Sequence, residues 1–419
     1  MTRSATCVTA LAMVCLAMLP AVGSGKEPIT PFAQLDREEF LRLHAPRFAS
    51  PRRIRAGDFL DGRTDSEAIE AAQASRKDPA EPVTIVLDGR PWWIDRAIVL
   101  DSNTELLIDG CTLKLADGVF DNVIRIARLK PNPADPNGAC LAMQPVHDVK
   151  ITGLRGAVVE GSDHPRVAPN PKTGVTESWS GDFFGWRTIG ILAAGATRYE
   201  VGGLTMRKTQ CWAISQEHCR SAYVHDLVFQ TTVKNGDGID FRNGCECGLV
   251  ENISGHTSDD TVACTALDNT VLKVNARYIW PMQAMGYPAP GTSDADIHDI
   301  VVRNVTTSGS CHAIICLATS PKVYDILIDG VHETVASNRE ACVKIYTGYG
   351  TGYQPGNLHD IVVRNVSSLG AQYAVMVKAD VQDVSFAGIR QAKQAGKVYL
   401  FTGKSKNLTI TSDPDAIRQ

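Results

Sequence analysis

Short apolar runs, most of them opened by aspartate, recur through this chain. They read DVKITGL from Asp148, DLVFQTT from Asp226, DIVVRNV from Asp299, DILIDGV from Asp325, DIVVRNV again from Asp360 and DVSFAGI from Asp383. Each run sets Val, Ile or Leu toward one face and polar residues toward the other, as a strand with one buried face does. From Asp299 onward the runs return at intervals of 26, 35 and 23 residues, a repeat length typical of solenoids. Between them lie turns rich in Gly, Ser, Thr and Asn, and few segments carry a sustained helical period. A unit this small cannot bury its apolar face alone, so the pattern predicts an all-β stack of coils, a parallel β-helix. A propeller, the next candidate, needs four antiparallel strands per blade and tight hairpin signals, which are scarce here.

The chain before the repeats reads differently. In AGDFLDGRTDSEAIEAAQAS, Thr64-Asp65-Ser66 precede apolar positions at Ala68, Ile69, Ala71 and Ala72. That order predicts a helix near Asp65–Gln73. Its place is the open end of the solenoid, where bare strand edges would otherwise pair with other chains. The segment TIVLDGRPWWIDRAIVLDSNTELLIDGCTLKL then supplies the first coils. Asn252, Asn304, Asn365 and Asn407 all sit in Asn-x-Ser/Thr triplets. Because Asn304 and Asn365 occupy the same place in the same repeated strand, the set reads as corner asparagines satisfying turn backbone rather than as glycosylation sites.

Composition narrows the class. The 419 residues are 44% hydrophobic and 21% charged, enough for a packed core. A net charge of −4 excludes the electrostatic footprint of a nucleic-acid binder. Arg3, the apolar run CVTALAMVCLAMLPAVG and the small residues Ala21-Val22-Gly23 predict a secretory signal peptide over residues 1–23. Residues 24–55 follow as an extension, and 56–419 as the β-helix domain, in a secreted or periplasmic protein. No later segment approaches the ~20 apolar residues that span a bilayer, so no membrane partner is expected. Of the 12 cysteines, Cys7 and Cys15 leave with the leader. An oxidising compartment permits disulfides, and Cys211–Cys219, or Cys245 or Cys247 with a neighbouring coil, are the candidates. Cys245-x-Cys247 lacks zinc-site spacing and reads as structural, so neither a metal nor a cofactor is expected.

The stretch KNGDGIDFRNGCECGLVENISGHTSDD, residues 234–260, carries the candidate chemistry. Singly, Asp237 reads as a turn aspartate and Asp259-Asp260 as the turn before a strand. The two clusters lie about one coil apart, however, and one coil along the chain is one layer, roughly 4.8 Å, in space. Three acids gathered on one outer face can divide acid and base roles, because like charges push one pKa upward while another group stays ionised.

Two resemblances attach to these residues. GDFLDGRTDSEAIEAA resembles the opening of the pectate-lyase superfamily of right-handed β-helices. GLTMRKTQCWAIS, NGDGID and SDD, in that order, resemble glycoside hydrolase family 28, the polygalacturonases and their relatives. The resemblance covers nearly all of the chain after the leader and implies a single-stranded right-handed parallel β-helix acting on a carbohydrate. It implies Asp259 as general acid, and Asp237 and Asp260 holding and deprotonating the water of an inverting hydrolysis. His312, in GSCHAII, stands where the family has Gly-His-Gly and would orient the acid or a substrate hydroxyl. Asn235, Lys344 and Tyr346 fall on substrate-binding positions. The chain departs from the family in having Asn-Gly-Asp for Asn-Thr-Asp, Ser-Asp-Asp for Gly-Asp-Asp, and Lys344-Ile345-Tyr346 for Arg-Ile-Lys. Lysine for arginine loses the planar fork, and tyrosine for lysine removes a charge, so unmodified polygalacturonate is expected to be a poor substrate. Trp212, where the family often has an aromatic, either stacks on sugar or fills the core. Residues 268–297 read as a loop insertion beside the cleft. Two other classes stay open: a lyase using calcium on the acidic cluster, and a carbohydrate-binding solenoid without catalysis.

Overall fold

The computed structural model describes residues 35–48, 51–132, 134, 139–164, 174–175, 188–274, 284–336 and 339–411. The expected leader lies outside them. The repeats stack as predicted. In the longer sheet the strands Val146–Leu154, Ala196–Gly202, Arg220–Gln230, Glu246–His256, Ile297–Thr307, Val323–Glu333, Leu358–Ser368 and Val381–Gln391 neighbour one another in chain order. A second sheet runs alongside in the same order, through Ile214–Glu217, Ile239–Phe241, Val262–Ala266, Ile314–Ala318 and Ala341–Thr347 to Lys397–Phe401. Every pairing in both sheets is parallel. The architecture is a right-handed parallel β-helix.

In-register stacking places like side chains over like. Val250, Val302, Ile328, Val363 and Phe386 form one inward column and are all fully buried. Each burial contributes on the order of 2 kcal/mol, and removing one large side chain costs roughly 2–5 kcal/mol because the column cannot collapse around the gap.

The aspartates that open the runs have a conformational reason. Asp148, Asp299, Asp325, Asp360 and Asp383 all adopt φ between 49° and 56°, stacked in one corner column that also holds Asn407. Asp and Asn are the non-glycine residues most tolerant of this left-handed turn. A second corner column holds Gly203, Asp226, Asn252, Asn304, Gly330, Asn365 and Gly388. Asp226 therefore belongs with Asn252 and not with the other leading aspartates, and the run it opens is displaced along the coil. The asparagine expectation holds only in part: Asn252, Asn304 and Asn365 share this column while Asn407 falls in the first, and their amides bond neighbouring side chains rather than turn backbone, Asn304 Nδ2 donating to Asn252 Oδ1 at 2.8 Å and Asn252 Nδ2 to Asp226 Oδ1 at 2.9 Å.

The capping helix spans Asp65–Ala74. Thr64 and Glu67 close a reciprocal capping box at its start, and Ala68, Ile69 and Ala72 are buried over the first coil. Strand Arg52–Arg55 pairs with Val83–Leu87, so the stack already begins ahead of residue 56. The extension also carries helix Arg37–His44, whose Phe40 seats on an outer column of Tyr223, Leu249, Val301, Leu327 and Val362.

The expectation of a Cys211–Cys219 bridge is corrected, whereas Cys245 does meet a cysteine of a neighbouring coil. No disulfide joins the ten cysteines among the described residues. Cys211 packs in an outer cluster with Ile189, Leu192 and Trp212, whereas Cys219 points into the main core, so the two lie on opposite sides of the backbone wall. Cys219 is instead stacked on Cys245 of the next coil, thiol against thiol.

Candidate active site

Strands of the second sheet bring the predicted acids together. The register that pairs Ile239 with Val262 and Val262 with Ile314 sets Asp237, Asp260 and His312 in one column, each just ahead of its strand. Backbone hydrogen bonds fix the layers: Gly238 N–H donates to Asp260 O at 2.9 Å, and Thr261 N–H to His312 O at 3.0 Å. Asp259 sits beside this column, accepting from the Asn235 backbone N–H.

Gly236 and Ser258, on adjacent coils, are packed against each other. A Cβ on Gly236 would lie 2.2 Å from Ser258 Oγ. Ser258 donates to Val233 O and takes up the space that a side chain at 236 would need. Glycine at 236 and serine at 258 are therefore complementary across adjacent coils.

The electrostatics split the acids. Burial, reinforced by the charge of Asp260, pushes Asp259 up to about 6. Asp260 is also desolvated, although partly exposed, but the charge and hydrogen bonds of His312 outweigh that and hold it below the usual carboxylate value. His312 Nδ1 lies 2.7 Å from Asp260 Oδ1, and the His312 backbone N–H reaches the same oxygen at 3.2 Å. Asp237 differs from the expectation of a solvent-facing acid: only 6% of it is exposed. Burial and the charges of Asp240, Asp259 and Asp260 raise its pKa well above the usual range.

Asp240 is a fourth acid that the sequence reading passed over. It is 1% exposed, and burial drives its pKa up against the pull of Arg242. The signal was present in the alternation: Ile239 and Phe241 point into the core, so Asp240 must point out, toward the other acids. Tyr349 is a second addition. At φ 66° it stands half-exposed beside the acids, and burial followed by the Asp260 charge raises its hydroxyl pKa. Its ring meets Tyr346 edge-on at 6.1 Å.

The residues expected to bind substrate behave differently from one another. Lys344 Nζ is 2.7 Å from Glu340 and 4.6 Å from the centre of the Tyr346 ring. Glu340 also pairs with Lys378, and the two lysines hold its carboxyl down at about 2. Lys344 shares an outward column with Asp240, Ala263 and Ile315, three strand spacings or roughly 14 Å from Asp240. Trp212 is 1% exposed and lies under the Arg242 guanidinium at 4.6 Å, so it fills the wall rather than facing sugar. Part of the 268–297 insertion, residues 275–283, lies outside the described residues. Of the rest, Val271 and Tyr287 pack with Leu267 over the outer positions Ala263, Ile315 and Leu317.

Solved structures share this architecture. A hyperthermoactive exopolygalacturonase from Thermotoga maritima matches at 16% identity and a TM-score of 0.53, covering 90% of this chain and 95% of its own. A polygalacturonase from Erwinia carotovora matches at 15% identity and 0.59, covering 88% and 96%. The chain shares their fold, a right-handed parallel β-helix. The tailspike protein of E. coli bacteriophage HK620, solved with a pentasaccharide, has the same stack at 13% identity and a TM-score of 0.54, covering 86% of this chain and 66% of its own. No family model and no curated protein sequence matches the chain.

Proposed function

We propose that this protein is a secreted or periplasmic glycoside hydrolase that cleaves a plant or algal-type polysaccharide or oligosaccharide by an inverting acid/base mechanism. One observation carries the reading: adjacent carboxyls in one cluster have opposite protonation tendencies, Asp259 raised to about 6 and Asp260 held down by His312. That is the division of labour glycosidic cleavage requires. Asp259 protonates the departing glycosidic oxygen. Asp260, kept ionised, takes the proton of the attacking water. Asp237, protonated among like charges, positions that water by donating a hydrogen bond. His312 keeps Asp260 charged and oriented.

The preferred substrate is something other than unmodified polygalacturonate. Lys344 is committed to Glu340, and Tyr346 offers a ring instead of a cation. A uronate carboxylate would have to break an ion pair to find its partner.

The test is a screen of the purified mature protein against plant and algal glycans, with products identified by mass and their first-formed anomer by NMR. The reading expects a hydrolytic product of inverted configuration. Retention would mean that a carboxylate attacks the sugar directly. A product carrying a 4,5-double bond would make the protein a lyase, and binding without turnover on every glycan would make it a carbohydrate-binding solenoid.

A further inference from the structure

Next to His312 the chain carries a cysteine where the resembled family has glycine, and the hydrolase reading gives that thiol no task. Cys311 Sγ lies 3.2 Å from His312 Nδ1, which is itself 2.7 Å from Asp260 Oδ1. One donor atom from each of Asp260, Cys311 and His312 falls within 4.8 Å of the other two. The thiol also hydrogen-bonds toward the carboxyl of Asp259. The set is anchored on two adjacent coils, tied by the His312 backbone N–H to Asp260. Cys311 and Asp260 are partly exposed, which leaves the donors open to an ion from the cleft.

We propose that Asp260, Cys311 and His312 bind a borderline-soft divalent cation such as Zn²⁺, and that its occupancy blocks the acid/base chemistry of the same cleft. Thiolate, imidazole and carboxylate together select for Zn²⁺ and its neighbours, while Ca²⁺ and Mg²⁺ require oxygen ligands throughout. With metal–ligand bonds of about 2.0–2.3 Å, a tetrahedral ion holds its donors roughly 3.3–3.6 Å apart. The two spacings to His312 Nδ1, 2.7 and 3.2 Å, are those of hydrogen bonds and need to open by only about half an ångström. On binding, the Cys311 thiol and His312 Nδ1 release their protons to solvent and the imidazole keeps only its Nε2 proton, so affinity falls with acidity. Asp259 or a water completes the fourth position. The cation occupies the base and its orienting histidine at once. The inhibitory part rests on the hydrolase reading above; the cation site does not.

The experiment titrates the reduced, metal-free mature protein with Co²⁺ and then displaces it with Zn²⁺. One equivalent of Co²⁺ should produce a thiolate-to-cobalt charge-transfer band in the near ultraviolet and the intense visible bands of a four-coordinate ion. Cys311→Ser and Cys311→Gly should each lose the charge-transfer band and bind Zn²⁺ at least tenfold more weakly, since even supporting residues outside the ligand shell cost about 10–100-fold. Absence of stoichiometric binding at micromolar metal, or a band that survives both variants, overturns the site. Zn²⁺-loaded protein that turns over glycan as fast as the chelator-treated protein overturns the inhibition. Failure of the hydrolase reading looks different: no turnover with or without metal, and an unchanged cobalt spectrum.

Discussion

Replacing His312 by glutamine isolates the interaction that keeps Asp260 ionised. The imidazole lies 2.7 Å from Asp260 Oδ1, and a hydrogen bond to a charged group contributes roughly 1.5–3 kcal/mol. Glutamine retains the backbone N–H contact but loses the imidazole. Taking about 2 kcal/mol for the loss, and 1.36 kcal/mol per pH unit, Asp260 should titrate about 1.5 units higher in the variant. The sign follows from a depressed folded-state pKa. The stabilisation is fully present above the unfolded value near 3.9, and it disappears as pH falls through the folded value. Urea unfolding from pH 3 to 7 should therefore show wild type more stable than His312→Gln by about 2 kcal/mol at neutral pH, with the gap narrowing toward pH 3. In the pH–rate profile, on whichever glycan the screen identifies, the acidic limb of kcat/KM should move up by about 1.5 units. A stability gap independent of pH, together with an unmoved acidic limb, would refute the claim that His312 acts by holding Asp260 charged.

Asp259→Asn should lower activity about 10²–10⁴-fold on substrates with poor leaving groups and far less on an activated aryl glycoside, because only the former need protonation. In wild type, activity should fall as pH rises through about 6, where Asp259 loses its proton, and that limb should vanish in Asp259→Asn assayed on the aryl glycoside. Gly236→Thr alone should destabilise the protein by roughly 1–3 kcal/mol through clashes with Ser258 Oγ and the Val233 carbonyl, and adding Ser258→Gly should restore only the Ser258 part of the loss in a thermal or chemical unfolding cycle. Polygalacturonate should be turned over more slowly than the preferred glycan of the screen; equal rates would contradict the role given to Tyr346 and to the paired Lys344.

The solenoid was legible because its periodicity is enforced by stacking. A residue in one coil repeats the environment of its counterpart, so DIVVRNV appears at both 299 and 360 with every side chain in the same place. The leading aspartates were legible as markers and opaque as conformers. Left-handed φ at Asp299, Asp325 and Asp360 fixes a corner, and composition alone could not tell that corner from the second one, where Asp226 sits with Asn252. The cysteines misled for a related reason. Proximity along the chain suggested Cys211 with Cys219, but a coil that turns between them places one thiol outside the wall and the other within. Pairing in a solenoid runs between layers, as Cys219 and Cys245 show.

The site divides along the same line. Asp237, Asp259, Asp260 and His312 gather because coil length, readable from spacing, becomes adjacency in register. Asp240 obeyed the same logic one step further and required only strand parity, the outward place between two inward apolar residues. What spacing could not supply is how neighbours change the meaning of a side chain. Lys344 keeps a cation at a position expected to bind substrate, yet Glu340, four residues earlier and shared with Lys378, cancels it. Asp237, identical in chemistry to Asp260, lacks a partner such as His312 and is driven toward the protonated form by its neighbours. The protonation state of each acid is thus set by which residue lies one layer above or below it. A single exchange in the next coil can therefore convert a base into an acid without touching either carboxylate.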